Sequence, residues 1–175
     1  ITGRNCAGKD TFADLLEARG FERHSLSDVL REELRRRGRP ITRAALIDLG
    51  RELREAEGPA VLAQRVKGMI TTDRVALVSV RSPLEVATLR ELPRFVLVAV
   101  TAPVEVRFER ERARDREGAA RTLEQFRELE GREESTDENA QQLGATIAVA
   151  DHVLPNAGSV IELRARVEAL LAALL

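Results

Sequence analysis

Lysine is nearly missing from this chain. Of its 28 Lys and Arg residues only Lys9 and Lys67 are lysines, and every other one is arginine. Cysteine is missing apart from Cys6, which excludes an internal disulfide and makes a reducing, cytoplasmic setting the natural one. Cys6 reads as a small residue tolerated in a tight loop rather than as a redox switch. No charge of one sign prevails: the net charge is −1 with signs interspersed, so the basic footprint of a nucleic-acid partner is absent. No apolar run approaches the ~20 residues of a membrane span and no signal peptide is visible, so no membrane role is expected. His24 and His152 lack metal-ligand company and read as structural. There is no internal repeat and no linker able to split the chain. Its 175 residues, 43% hydrophobic and 33% charged, fit one domain with a full core. The first residue is not Met and lies in mid-strand, so residues upstream are expected.

What is present begins at once. Gly3-Arg4-Asn5-Cys6-Ala7-Gly8-Lys9-Asp10-Thr11 reads G-x-x-x-x-G-K, set between the strand stub Ile1-Thr2 and a helix. This is the phosphate-cradling P-loop. Its glycines let backbone N–H groups close around a phosphate, and the helix aims its positive end at the same place. Lys9 reaches the outer phosphates as a compact point charge, in a chain that elsewhere prefers arginine. The motif normally ends Lys-Ser/Thr with the hydroxyl on Mg²⁺, whereas Asp10 stands there and Thr11 follows. A carboxylate is a good Mg²⁺ ligand, so Asp10 is the candidate metal ligand, directly or through water.

The rest of the chain alternates strands and helices. A helix from Asp10 to Arg19 is closed by Gly20, and Phe21 to Leu26 is a short strand. Ser25-x-x-Asp28 starts a helix running to Arg37. Thr42 opens a third helix that Gly58-Pro59 stops, and Ala60 to Ile70 is a fourth. Val75–Val80 and Phe95–Val100 are continuous apolar runs, as in parallel strands covered on both faces, with a helix between them from Pro83 to Leu92. Asp151–Pro155 is another strand, Asn156-Ala157-Gly158 a turn, and a last helix starts at Ser159. This order predicts an α/β fold of three layers, a parallel sheet of about five strands flanked by helices.

Residues 107–138 are the most charged stretch. They read either as a solvated helix pair laced with ion pairs or as a small helical lid whose arginines close over phosphates. Arg107, Arg110 and Arg114 recur at three and four and share one helix face.

Together these pieces resemble the nucleoside monophosphate kinase group of P-loop proteins, above all dephospho-CoA kinases and adenylate-kinase-like relatives. ITGRNCAGKDTFADLLEARGF resembles their P-loop, and SLSDVLREELRRRG the segment that holds the acceptor monophosphate. VRSPLEV resembles a strand end bearing a phosphate-binding arginine. TAPVEVRFERERARDR resembles the start of the lid, and ADHVLPNAGSVIEL the strand and turn beside the adenine. The resemblance implies that Gly3, Asn5, Cys6, Ala7, Gly8, Lys9, Asp10 and Thr11 bind the phosphates of ATP. It implies that Asn156 and Gly158 line the adenine pocket, and that Arg110 and Arg114 act from the lid. An acceptor region of about 27–70 would carry Asp28, as base or through Mg²⁺-bound water, and Arg31 as a phosphate clamp, with Arg81 doing the same. Asp28 also reads as an acid facing a helix dipole, and Arg31 as an exposed helix arginine. Relatives usually carry an acid in the strand before Arg81, where this chain has Val78 and Ser79. The function implied is transfer of a phosphoryl group from ATP·Mg²⁺ to a small phosphorylated acceptor. A nucleotide-binding sensor that transfers nothing is the alternative.

Overall fold

A computed structural model describes residues 1–114, 120–131, 134 and 136–174. Among them the order is α1 (Lys9–Glu17), β1 (Glu22–Ser25), α2 (Leu26–Arg36), α3 (Arg43–Glu57), α4 (Val61–Lys67), β2 (Val75–Val78) and α5 (Pro83–Leu89). Then follow β3 (Val98–Thr101), α6 (Val104–Ala113), α7 (Leu123–Gly131), α8 (Leu143–Ala148), β4 (His152–Pro155) and α9 (Val160–Leu174). No helix among the described residues is long and apolar enough to cross a membrane.

The strands pair in parallel, β1 with β2 and β3 with β4. These are two ladders of two strands, and not the continuous sheet of about five that the pattern predicts. The physical reason is the shortness of the stub between them. Thr2 bridges Ala99, exchanging bonds of 2.9 Å with Val98 and Val100, while the Ile1 nitrogen donates to the Leu77 carbonyl. Two residues touch both ladders but are too few to form one of their own.

Both faces of the strands are covered, which is why β2 and β3 read as unbroken apolar runs. Ala76, Val78, Val98 and Val100 pack on one side with Phe12, Leu15 and Leu16 of α1 and with Leu163 and Val167 of α9. Leu77 and Leu97 face the other way, into a cluster built by Leu26, Leu30 and Leu34 of α2, Leu49 and Leu53 of α3, Leu62 of α4 and Leu89 of α5. Three layers result. Caps set the helix starts: the hydroxyls of Ser25, Thr42 and Ser82 accept from the N–H groups of Ser27, Ala45 and Glu85, satisfying donors the first turn leaves free. The pattern missed α8, a six-residue helix too short to show a period. His24 lies in β1 and His152 in β4.

Asp151 fixes the start of β4 against that of β3. Its carboxylate accepts from the Leu97 N–H at 2.7 Å and from Arg90 Nη2 at 2.9 Å. Burial pushes this carboxyl up, but the Leu97 N–H and the Arg90 guanidinium outweigh it and hold the pKa below its ordinary 3.8. A lowered acid stabilises the fold above its unfolded pKa and loses that contribution as pH falls through the native value. Asp151→Asn is therefore expected to cost about 1.5 kcal/mol in urea unfolding at pH 7. The gap between the two proteins should narrow as pH falls below the ordinary carboxyl range, and a gap that stays constant down the acid limb would contradict this account.

Candidate functional site

The loop residues, the residue after β4 and the first helix after β3 meet beyond the carboxyl ends of the strands, where open α/β sheets bind ligands. The loop's shape is set by contacts that tolerate no side chain. A Cβ on Gly3, at φ +141°, would stand 2.2 Å from the Val100 carbonyl oxygen. One on Gly8, at φ +107°, would stand 2.2 Å from Nδ2 of Asn156. Gly8 is the N-cap of α1 and offers no side-chain cap, so the first-turn N–H groups of that helix are directed into the loop. Cys6 also adopts a left-handed conformation, φ 56°, which a non-glycine residue holds only where its surroundings impose it.

Those surroundings are specific. Asn156 is buried and donates from Nδ2 to the Ala7 carbonyl at 2.7 Å, while its own N–H donates to Thr101 at 2.6 Å. From the other side, Glu111 of α6 accepts from Asn5 Nδ2 and from the Cys6 thiol, both at 3.0 Å. Arg107, buried, donates to the Asn5 and Ala102 carbonyls at 3.3 and 2.9 Å and pairs with Glu130 of α7. Arg4 pairs with Glu134 at 2.6 Å. The Lys9 ammonium folds back onto the Arg4 carbonyl at 2.9 Å, a loop oxygen that a phosphate oxygen can replace.

Arg110 crosses the mouth of the loop, donating to the Cys6 carbonyl at 3.4 Å and to the Gly158 carbonyl at 3.1 Å. Beside it opens a cavity of about 660 Å³, lined by Val106, Phe108, Ala113 and Leu123 and closed on one side by Ala157 and Gly158. The structure thus brings the residues of the glycine-rich motif, Asn156, Gly158 and Arg110 together at one end of the strands. Arg114 ends α6 on the surface, close enough for its charge to act on Cys6. Arg107 faces the loop, yet Glu130 and two carbonyls occupy it, so it braces rather than reaches outward.

The acceptor residues are differently placed. Asp28 and Arg31 join one another at 2.6 Å on the exposed face of α2. Arg81, just past β2, donates from Nη1 to Gln141 at 2.7 Å. Asp10 is exposed and held by Arg23 at 2.9 Å, in a row with Asp14 and Glu17 along α1. Val78 points into the core and Ser79 meets Ser25, hydroxyl to hydroxyl, at 3.2 Å. Among the described residues no three or more His, Cys, Asp or Glu side chains gather as a metal site. Of the expected lid 107–138, residues 115–119, 132–133 and 135 lie outside the described residues. The sequence reading missed Glu111, Glu130 and Glu134, because acids in a charged stretch carry no mark of which ones turn inward.

Two outcomes follow. Burial, and then the hydrogen bond to Glu111, push the Cys6 thiol from 9.0 to about 11. At neutral pH it should carry about a hundredfold less thiolate than an unperturbed cysteine and alkylate correspondingly slowly, quickening only above pH 10. Rapid labelling by iodoacetamide at pH 7.5, read by mass spectrometry, would sink this. Gly8→Ala should lower stability by about 2 kcal/mol in urea unfolding, and an unchanged midpoint would contradict the close approach of Asn156.

No family model matches the chain. It is 37% identical over 177 residues to a UPF0200 protein of Hyperthermus butylicus, covering 99% of this chain and 92% of that protein. It is 33% identical over 178 residues to a UPF0200 protein of Thermococcus gammatolerans, covering 97% and 91%. Among solved structures it is similar to TT1252 from Thermus thermophilus, with a TM-score of 0.62 and 23% identity over 100% of this chain and 96% of that one. A sugar kinase from a Janibacter species gives a TM-score of 0.51 and 21% identity over 98% and 91%. At these identities the structures establish the fold alone: helices around parallel strands, as in kinase structures.

Proposed function

We propose, from the premise that this chain belongs to the UPF0200 family, that it is an ATP-dependent phosphotransferase acting in the cytoplasm. It moves the γ-phosphoryl group of ATP·Mg²⁺ to a small nucleotide or nucleotide-like acceptor, a nucleoside or deoxynucleoside monophosphate first and dephospho-CoA second. The observation that carries this reading is the loop itself. Gly3, Cys6 and Gly8 take backbone conformations of positive φ, with Lys9 beside them and Arg110 on a cavity walled by Val106, Phe108, Ala113 and Leu123 and edged by Glu105 and Glu109. A triphosphate in the loop would leave its base in that cavity, against Gly158 and the Arg110 guanidinium.

The reading treats residues 1–175 as one P-loop kinase domain. The two ladders and the Ile1–Thr2 stub count as one sheet of about five strands, 27–70 as the acceptor side and 107–138 as the lid. Catalysis is positioning and charge neutralisation. The loop N–H groups and Lys9 hold the β- and γ-phosphates, Arg110 and Arg114 spread developing charge, and Arg31 and Arg81 fix the acceptor in line. Asp28 takes the acceptor hydroxyl proton or orders a water there. Each cation changes partner to do so: Lys9 leaves the Arg4 carbonyl, Arg31 leaves Asp28, and Arg81 leaves Gln141.

Mg²⁺ is held in such sites by one or two carboxylates with substrate phosphates and waters, and Asp10 fits that need. Its carboxylate is exposed in the first turn of α1 and paired with Arg23. Bound there, the ion would neutralise phosphate charge and offset the negative charge that Asp10 itself brings to the loop.

One observation favours the second reading, a nucleotide-binding sensor. Val78 is buried in the apolar cluster with α1 and α9, so β2 brings no carboxylate to the loop. Turnover separates the two. ADP release would be measured with ATP and Mg²⁺ across nucleoside and deoxynucleoside monophosphates and dephospho-CoA, with Lys9→Ala as control. The kinase reading expects acceptor-dependent release that falls at least 100-fold in Lys9→Ala. ATP binding with no acceptor-dependent release would leave the sensor.

A further inference from the structure

The ion pair between Arg54 of α3 and Glu85 of α5 has no part in the loop or the cavity. Both residues are buried, 3% and 0% exposed, and they meet at 2.9 Å. Two charges taken out of water recover their desolvation only if further hydrogen bonds satisfy them, and apolar side chains of similar volume fill such a space at least as well. The second carboxylate oxygen of Glu85 shows what the pair is tied to. It accepts from the backbone N–H of Arg81 at 2.7 Å. The Arg81 carbonyl accepts from the Gln142 N–H at 2.9 Å, so the backbone of this one residue is pinned from both sides. Ser82, fully buried, caps α5 by accepting from the Glu85 N–H at 3.1 Å, which fixes the root of the Glu85 side chain. Two residues upstream, Ser79 sits at φ 68°, a turn that needs support from its surroundings.

We infer that Glu85 is a positioning residue for Arg81 and that Arg54 is the counter-charge that holds Glu85 in place, tying the acceptor-side helix α3 to the arginine past β2. The assignment rests on the phosphotransferase reading. Glu85 presents Arg81 through its backbone and leaves the guanidinium to exchange partners. Its Nη1 now donates to a neutral amide oxygen of Gln141, which an anionic phosphate oxygen displaces as the stronger acceptor. The same pair carries any movement of α3 directly to Arg81. A pair that merely glued α3 to α5 would affect stability without regard to which ligand is bound.

Two double variants separate these roles. Arg54→Met with Glu85→Leu removes both charges and the oxygen that accepts from Arg81. Arg54→Met with Glu85→Gln removes both charges but keeps an oxygen there. Thermal unfolding is measured for both, and calorimetry then follows ATP and the panel of 5′-monophosphates and dephospho-CoA, with Arg81→Ala for comparison. The expected result is that Glu85→Leu in this background weakens the best-binding acceptor at least tenfold, as Arg81→Ala does, with ATP within twofold of wild type. The Glu85→Gln version should keep acceptor affinity within about threefold. Equal acceptor affinity in the two double variants, or parallel loss of ATP and acceptor, overturns the positioning role. A wild-type chain that binds ATP but no member of the acceptor panel overturns the phosphotransferase reading, and this assignment with it.

Discussion

Everything at this site depends on how closely the P-loop backbone approaches β3 and the residue after β4. Gly3 lies against the Val100 carbonyl and Gly8 against the Asn156 amide, each closer than any Cβ would allow. Because Asn156 also donates to the Ala7 carbonyl, it both occupies the space a side chain at residue 8 would need and fastens the residue before it. The loop is therefore shaped before a ligand arrives, and the cost of ordering it is met in folding rather than in binding. The apolar clusters above and below the strands matter to function chiefly because they hold β3 and β4 in the register that brings Val100 and Asn156 to the loop.

Around that frame lie carboxylates that hold the loop and its arginines. Glu111, Glu130 and Glu134 hold Asn5, Cys6, Arg107 and Arg4, and Glu85 holds Arg54. A chain so rich in arginine would repel itself at a phosphate site if every guanidinium faced inward. Here some are spent on structure while others rest on partners weaker than a phosphate. Arg110 on two carbonyls is of the second kind, and Arg107 on Glu130 is of the first. The distinction turns on whether the resting partner is itself charged and buried.

Much of this was legible in the sequence, for identifiable reasons. The glycine spacing with Lys9 is a backbone requirement written directly in residue types, and the apolar runs of β2 and β3 follow from burial on both faces. Helix starts at Ser25 and Thr42 were visible as caps. The strands pair as two short ladders, because the stub that touches both has only two residues and forms no ladder of its own. Glu111, Glu85 and Arg54 were invisible for another reason. They sit in or near helices crowded with similar charges, and only packing decides which of them point inward. Asp10 was read from its place after Lys9, but its present partner, Arg23, comes from an edge strand that sequence spacing does not connect to it.

Helix α6 has two working sides. Arg107 and Glu111 face the loop and α7, while Val106, Arg110 and Ala113 line the cavity. At 3.6 residues per turn, a single inserted residue would rotate the following part of the helix by about 100°. Glu111 would come off Cys6 and Arg110 off Gly158 in the same step. Loop brace and cavity wall are therefore inherited as one part, and neither can be rebuilt by lengthening the helix while the other is kept.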